Sequence, residues 1–290
     1  MGDIFSWAVF KSSLWVAVEI LRFFCHIRRV RKGFKRLFAM GLLKTAKSLE
    51  VNKMFERVET TLCLVISLDG KITTGSTDNL DSDSDWRRIV GVEEGFAQYY
   101  KVEQSLGPNY LNSGRVLEKV GFNNKKEVPE KEPLKFVVVD RKPHLNKHGI
   151  NYLCNWLEKL FIVTNNPKHP ASELKSEYDN IEIIYYETDV DFADLLVKLR
   201  KHHKIEKITI ESGGTLNATF FRNGLIDHVK IVVAPLIVGG KETSSLVDGF
   251  SLTDQSQLHL LKALKLKECK KLENSYLLLE YDVINDTVIK

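Results

Sequence analysis

Seven short runs of β-branched and aliphatic residues, several of them separated by helical patterns, constrain this chain more than any other feature. They are residues 60–67 (TTLCLVIS), 135–139 (KFVVV), 160–164 (LFIVT), 181–186 (IEIIYY), 207–211 (KITIE), 229–234 (VKIVVA) and 276–281 (YLLLEY). Near-continuous apolar character is what strands covered on both faces require. Between them, Phe192, Leu195, Leu196 and Leu199 recur at helical spacing, and Leu216, Phe220 and Leu225 cover one side of another short helix. Strand, helix, strand implies right-handed crossovers and a mainly parallel sheet. From Leu258 onward, strand-like runs follow without an intervening helix, which predicts an antiparallel edge. The expected fold is α/β, with a mixed, mostly parallel central sheet flanked by helices. No internal repeat is visible, and the lysine-rich stretch 123–133 reads as a solvated loop.

Composition removes several function classes. With 43% hydrophobic and 28% charged residues over 290 positions, the chain has ample material for a core. Cys25, Cys63, Cys154 and Cys269 are too few and too scattered for a disulfide scaffold, which suits a reducing, cytoplasmic setting. There is no CxxC and no close Cys/His spacing, so no metal site is expected, and the zinc-deaminase signature is missing. The formal charge of +4 is uneven: residues 1–50 carry ten Lys/Arg against three acids, a net +7, which leaves −3 for the body. A mildly acidic body does not suit nucleic acid. Lys11 and Glu19 interrupt the apolar stretch 4–25, so no run of about 18 residues can span a bilayer. The basic run 28–36 follows that stretch, the reverse of a secretory signal. Residues 1–53 therefore read as a basic, apolar extension outside the fold. Either it touches an anionic membrane surface or it precedes a natural start at Met54; the second is preferred, and the domain is placed at 54–290.

Three segments carry candidate chemistry. In residues 208–240 (ITIESGGTLNATFFRNGLIDHVKIVVAPLIVGG) a strand ends at Glu211, a Gly-Gly turn follows, and a helix starts near Thr215. Amides of Gly213, Gly214 and Thr215 at a helix N-terminus favour an anion such as a cofactor phosphate. A plain strand-to-helix turn is the competing reading, and Glu211 is either a solvent-facing carboxylate or a pocket ligand. Ser67-Leu68-Asp69-Gly70-Lys71 reads on pattern alone as a hairpin turn; its other reading places Ser67, Asp69 and Lys71 at a ligand cleft. Asn112-Ser113-Gly114-Arg115-Val116 opens a helix-like run whose arginine suits a phosphate, or is simply an exposed cation. His202 and His203 at a helix end, and His144, His148 and His169 in loops, read as structural.

Taken in order, ISLDGKITTG (66–75), SDW (84–86), SGRV (113–116), FVVVD (136–140), FIVT (161–164), the segment 210–240 and LLLEYDVI (277–284) resemble the reductase domain of riboflavin biosynthesis, the C-terminal domain of the bifunctional deaminase-reductase. That family shares the dihydrofolate reductase fold, and the resemblance covers residues 58–284. It implies an NADPH-dependent reductase that converts 5-amino-6-(5-phosphoribosylamino)uracil to its ribitylamino product. By this resemblance Gly213, Gly214, Thr215, Leu216 and Asn217 form the phosphate-binding turn, and Thr164 meets the cofactor's ribose or adenine side. Gly114 and Arg115 resemble the Gly-Arg pair whose arginine holds a 2′-phosphate. Trp86 stands near the cofactor, Ser84 and Glu211 near the substrate. Ser67, Asp69 and Lys71 line the reaction centre, with Asp69 or Lys71 as proton donor. A homodimer is implied by analogy. Two segments depart from the family pattern: RVLEKV lacks its threonine, and GFAQYYKVEQ lacks the arginine for substrate phosphate. The alternatives are therefore a reductase of another small molecule, or a non-catalytic ligand-binding protein of the same fold.

Overall fold

The computed structural model describes residues 56–127 and 129–289, so the extension 1–53 and its membrane reading lie outside the described residues. In chain order the elements are β1 (Glu59–Ser67), α1 (Ser82–Asp85), α2 (Glu93–Gln104), β2 (Asn109–Ser113), α3 (Gly114–Lys119), β3 (Glu132–Val139), α4 (Lys147–Trp156), β4 (Leu157–Thr164), α5 (Ala171–Leu174), β5 (Ile181–Tyr185), α6 (Phe192–His203), β6 (Lys207–Ile210), α7 (Gly214–Arg222), β7 (His228–Ala234), β8 (Ala263–Lys271) and β9 (Leu277–Ile284). The strands form one sheet in the order β5-β4-β3-β2-β6-β1-β7-β9-β8. Pairing is parallel from β5 through β7, and antiparallel where β9 meets β7 and β8. The expected fold class is the one observed.

Alternation along the buried strands decides which helix covers which face. Leu62, Leu111 and Ile210 pack under α6 and α7, through Leu195, Leu199 and Phe220. On the other face, Phe136, Val138 and Ile162 meet Ile150 and Leu153 of α4, while Cys63, Val65 and Val232 meet Phe96 and Tyr99 of α2. Each such fully buried aliphatic side chain contributes roughly 1.5–3 kcal/mol.

Three local expectations need correction. Strand β2 (NYLNS) has little apolar signature; it is a strand because β3 and β6 flank it and complete its ladder. Leu225 lies beyond α7, where Gly224 at φ 65° turns the chain and lets Leu225 pack into the core. The Asp69-Gly70 turn does not join two hairpin strands. Its outgoing chain instead meets the segment after β7, with Ile72 N–H donating to Ser244 and Leu246 N–H to Gly70.

The sheet order makes β6 a switch point. From β2 the chain leaves through α3 toward β3; from its neighbour β6 it leaves through α7 toward β7, on the opposite face. Ligand crevices in open α/β sheets form outside the carboxyl ends of such strands. The two helix starts approach closely, since a Cβ on Gly213 would lie 3.9 Å from Val116 of α3. Among the described residues no helix is long and apolar enough to cross a membrane.

Candidate active site

Strand β6 ends at Ile210, one residue earlier than its apolar run suggests, and Gly213 in extended conformation caps α7. No side chain caps this helix, and the amides of Gly213, Gly214 and Thr215 donate to no group of the described residues. Bare donors and the positive end of a nine-residue helix make a place for an anion. Gly214 is required sterically, because a Cβ there would overlap the Ser245 carbonyl oxygen and the Asp248 carboxylate. Leu216 turns toward the core under α7. Asn217 does not line the open side of the turn: it is fully buried, accepting from Ser212 (2.6 Å) and donating to Leu246 (2.8 Å). Its side chain ties α7 to the neighbouring loop.

At the end of β1 the turn is stapled to the chain beyond β7. Ser67 Oγ donates to Asp69 (2.6 Å), and Asp69 also accepts from the amides of Val238 (3.1 Å) and Gly239 (2.7 Å). Those bonds, from Ser67 first and Val238 next, pull the Asp69 carboxyl down to about 2. At neutral pH it is a carboxylate with no proton to give, so the expectation of Asp69 as acid gives way to a clamping role. Lys71 Nζ donates to the Thr243 carbonyl (2.8 Å). Lys119, which sequence reasoning passed over, reaches from α3 to Thr73 (2.7 Å) and Asp81 (3.6 Å) and so fixes the loop after β1.

On the far side of the crevice, Ser113 caps α3 through Val116 N–H (3.3 Å), and Gly114 lies against the Asp140 carboxylate, which a Cβ would overlap. Asp140 is buried, with His144 Nδ1 at 3.0 Å and His169 Nε2 at 3.1 Å. Burial alone would raise its pKa, but the bond from His169 and the amides of His144 and Leu145 outweigh that and lower it. The two histidines are structural, as read, and their shared partner was legible only as the acid that ends FVVVD. Arg115 pairs with Asp78 (2.8 Å) in solvent, and buried Thr164 accepts from the Asn166 amide (3.1 Å).

The face covered by α2 holds the remaining candidates. Ser84 is exposed on α1, whereas Trp86 is fully buried edge-on to Phe96 with its indole N–H unpartnered among the described residues. Glu211 turns its carboxyl under α2, where burial first and the charge of Glu103 second push it well above the usual carboxylate range. Glu103 and Tyr110 carried no motif and were not anticipated. Among the described residues no group of His, Cys, Asp and Glu is arranged to hold a metal ion.

This architecture, a parallel sheet closed by an antiparallel hairpin with a glycine turn at its switch point, defines a dihydrofolate reductase-like α/β protein. RibD of Acinetobacter baumannii shares it at TM-score 0.56 and 18% identity, over 79% of this chain and 58% of that one. A pyrimidine reductase-like protein of Corynebacterium diphtheriae matches at TM-score 0.54 and 14% identity, over 79% and 93%. The chain belongs to the RibD C-terminal domain family, whose model matches residues 108–278. It is 35% identical over 98 residues to the 2,5-diamino-6-ribosylamino-4(3H)-pyrimidinone 5′-phosphate reductase of Methanothermobacter thermautotrophicus, covering 33% of this chain and 41% of that protein. The protein of the same name from Archaeoglobus fulgidus is 24% identical over 203 residues, 68% of this chain and 89% of the relative. The chain thus spans less than half the length of the Methanothermobacter relative, and 24% of the RibD of Actinobacillus pleuropneumoniae that it also matches.

Proposed function

We propose that this protein is an NADPH-dependent reductase of the riboflavin-biosynthesis type, acting on 5-amino-6-(5-phosphoribosylamino)uracil or its diaminopyrimidinone counterpart. The supporting observation is the set of open amides at Gly213, Gly214 and Thr215, at the switch-point crevice of a chain in this family. The residues present fit a dinucleotide: the turn offers donors to its diphosphate, and Gly214 lets the helix start pack against Ser245 and Asp248. Arg115 would exchange its solvent-exposed partner Asp78 for a 2′-phosphate. When bound, the cofactor supplies the hydride, so the protein's task is to bind, orient and exclude water.

The clamp through Asp69 holds the Val238–Gly239 turn over the reaction side, and the bond from Lys71 to Thr243 holds the same loop. Lys71 is the group assigned to deliver a proton to the reduced centre, directly or through water. A homodimer in the cytoplasm completes the proposal. The full-length chain should oxidise NADPH in the presence of the phosphoribosylamino pyrimidine and restore riboflavin-independent growth to a reductase-deficient strain. Absence of heat on titration with NADPH, together with an unchanged melting temperature, would reject the reading.

A further inference from the structure

Helix α3 is tied to the loop between β1 and α1 at two levels. Arg115 and Lys119 stand one turn apart on α3, and each faces an acid of that loop: Arg115 meets Asp78 at 2.8 Å, and Lys119 meets Asp81 at 3.6 Å. The two ties differ in kind. The inner one is largely out of water, with side chains 17% and 18% exposed, and Lys119 shares it with the Thr73 hydroxyl (2.7 Å). Thr73 in turn donates to the Leu80 carbonyl, Ser82 to that of Ile72, and Asp81 caps α1 through the Asp83 amide. Those bonds close the base of the loop. The outer pair lies in solvent, with side chains 60% and 65% exposed.

Residues 74–79 form the tip of the loop, and little else holds it. Leu80 N–H donates to Thr77 and the Thr77 hydroxyl to Asn79, both within the loop. The Arg115–Asp78 pair is therefore the one hydrogen bond from the tip to another element among the described residues. The hydroxyl of Thr74 is buried without a partner, so the tip in this position is not fully satisfied. An exposed ion pair favours the tied state by no more than about fivefold. Such a tie gives way to a stronger anion.

We propose that Asp78 is a specificity residue for the cofactor: its carboxylate occupies Arg115 in place of a 2′-phosphate, and a nucleotide carrying that phosphate displaces it and frees the loop tip. The inference rests on the reductase reading, which gives Arg115 to the 2′-phosphate; Asp78 is the addition. Both anions present oxygen acceptors to the same guanidinium fork, and the phosphate carries more charge. It also arrives tethered. A dinucleotide held by its diphosphate at Gly213–Thr215 brings its 2′ end to Arg115 at high effective concentration, an advantage that free phosphate lacks. An arginine that is engaged part of the time lowers the apparent affinity by the fraction left free. For a pair of this strength the reduction is about two- to sixfold, and it falls on NADP alone, because NAD presents no anion to Arg115. Lys119 takes no part in the exchange, so the base of the loop stays in place.

The test titrates the full-length chain calorimetrically with NADP+ and with NAD+. Asp78→Asn, at a solvent-exposed position where folding is not at stake, should tighten NADP+ by about two- to sixfold and leave NAD+ unchanged. In an Arg115→Ala background the same substitution should change neither affinity, which separates displacement at the guanidinium from a general loss of negative charge. The freed tip is read by thermolysin, which cuts before large apolar residues such as Leu80. At saturation NADP+ should speed the cut between Asn79 and Leu80 relative to NAD+, and Asp78→Asn should be cut as fast with NAD+ as with NADP+. An unchanged ratio of NADP+ to NAD+ affinity in Asp78→Asn, an equal gain in the Arg115→Ala background, or a tip that both nucleotides leave equally resistant in the wild type overturns the assignment. If NADP+ binds and any of these results is found, only the role of Asp78 falls. If NADP+ itself does not bind, the reductase reading falls and this one with it.

Discussion

The helices α3 and α7 begin in the same way, with a serine, glycines and a strand just ended, yet they are built for different ends. At α3 a side chain takes the cap, Ser113 accepting from Val116 N–H, and Gly114 lies against the buried Asp140 carboxylate. With six residues, α3 is also a short helix. At α7 no side chain takes the cap, and consecutive amides stay bare. A glycine at a helix start is therefore ambiguous until its donors are accounted for. No side chain takes an amide at the start of α7, whereas at α3 Ser113 takes that of Val116; both glycines, Gly214 beside Asp248 and Gly114 beside Asp140, are packed against a carboxylate.

The largest expected effect separates these two glycines directly. Gly214→Val should weaken NADPH binding by about 100-fold or more, because a side chain pressed against Ser245 and Asp248 displaces the helix start and its charge-assisted donors, with overpacking that costs roughly 1–3 kcal/mol. Gly114→Ala should carry a similar stability penalty against Asp140 while changing cofactor affinity far less; equal losses of affinity in both would erase the distinction. Next in size, Arg115→Ala should weaken NADPH about tenfold in calorimetry and leave NADH unaffected. Its melting temperature should hardly move, because an exposed pair such as Arg115–Asp78 is worth about 0–1 kcal/mol. Ser113→Ala should lower stability in denaturant unfolding by about 1 kcal/mol with NADPH affinity unchanged. An affinity loss there would mean that α3 does more than pack. The smallest effect is in acid. Asp69 is lowered from 3.8 to about 2, so its clamp contributes fully above 3.8 and is lost as pH falls from there toward about 2. Acid unfolding of Asp69→Asn should show a shallower slope in that window than the wild type.

Much of the frame was legible in the residues. Buried parallel strands announce themselves by unbroken apolar runs, and the run ending at Ile210, the Gly-Gly turn and the helix after it lie in one stretch of chain. Strand β2 escaped notice because its burial is conferred by β3 and β6 rather than by its own composition. Asp69-Gly70 has the local chemistry of a hairpin; only contact with Gly239, 170 positions away, shows it to be a clamp. Asn217 looked like part of a ligand turn because position along the chain says nothing of which side of a helix meets Leu246.

What the sequence by itself determined is the alternation of strands and helices, the parallel sheet and the glycine turn that closes β6, since each depends on neighbours a few residues apart. Which helix start is left without a side-chain cap and which carboxyl is spent as a clamp were decided only by the tertiary structure. Those outcomes depend on burial and on charges brought together from distant parts of the chain, and the free energy of a donor or a carboxyl is set by what surrounds it in space.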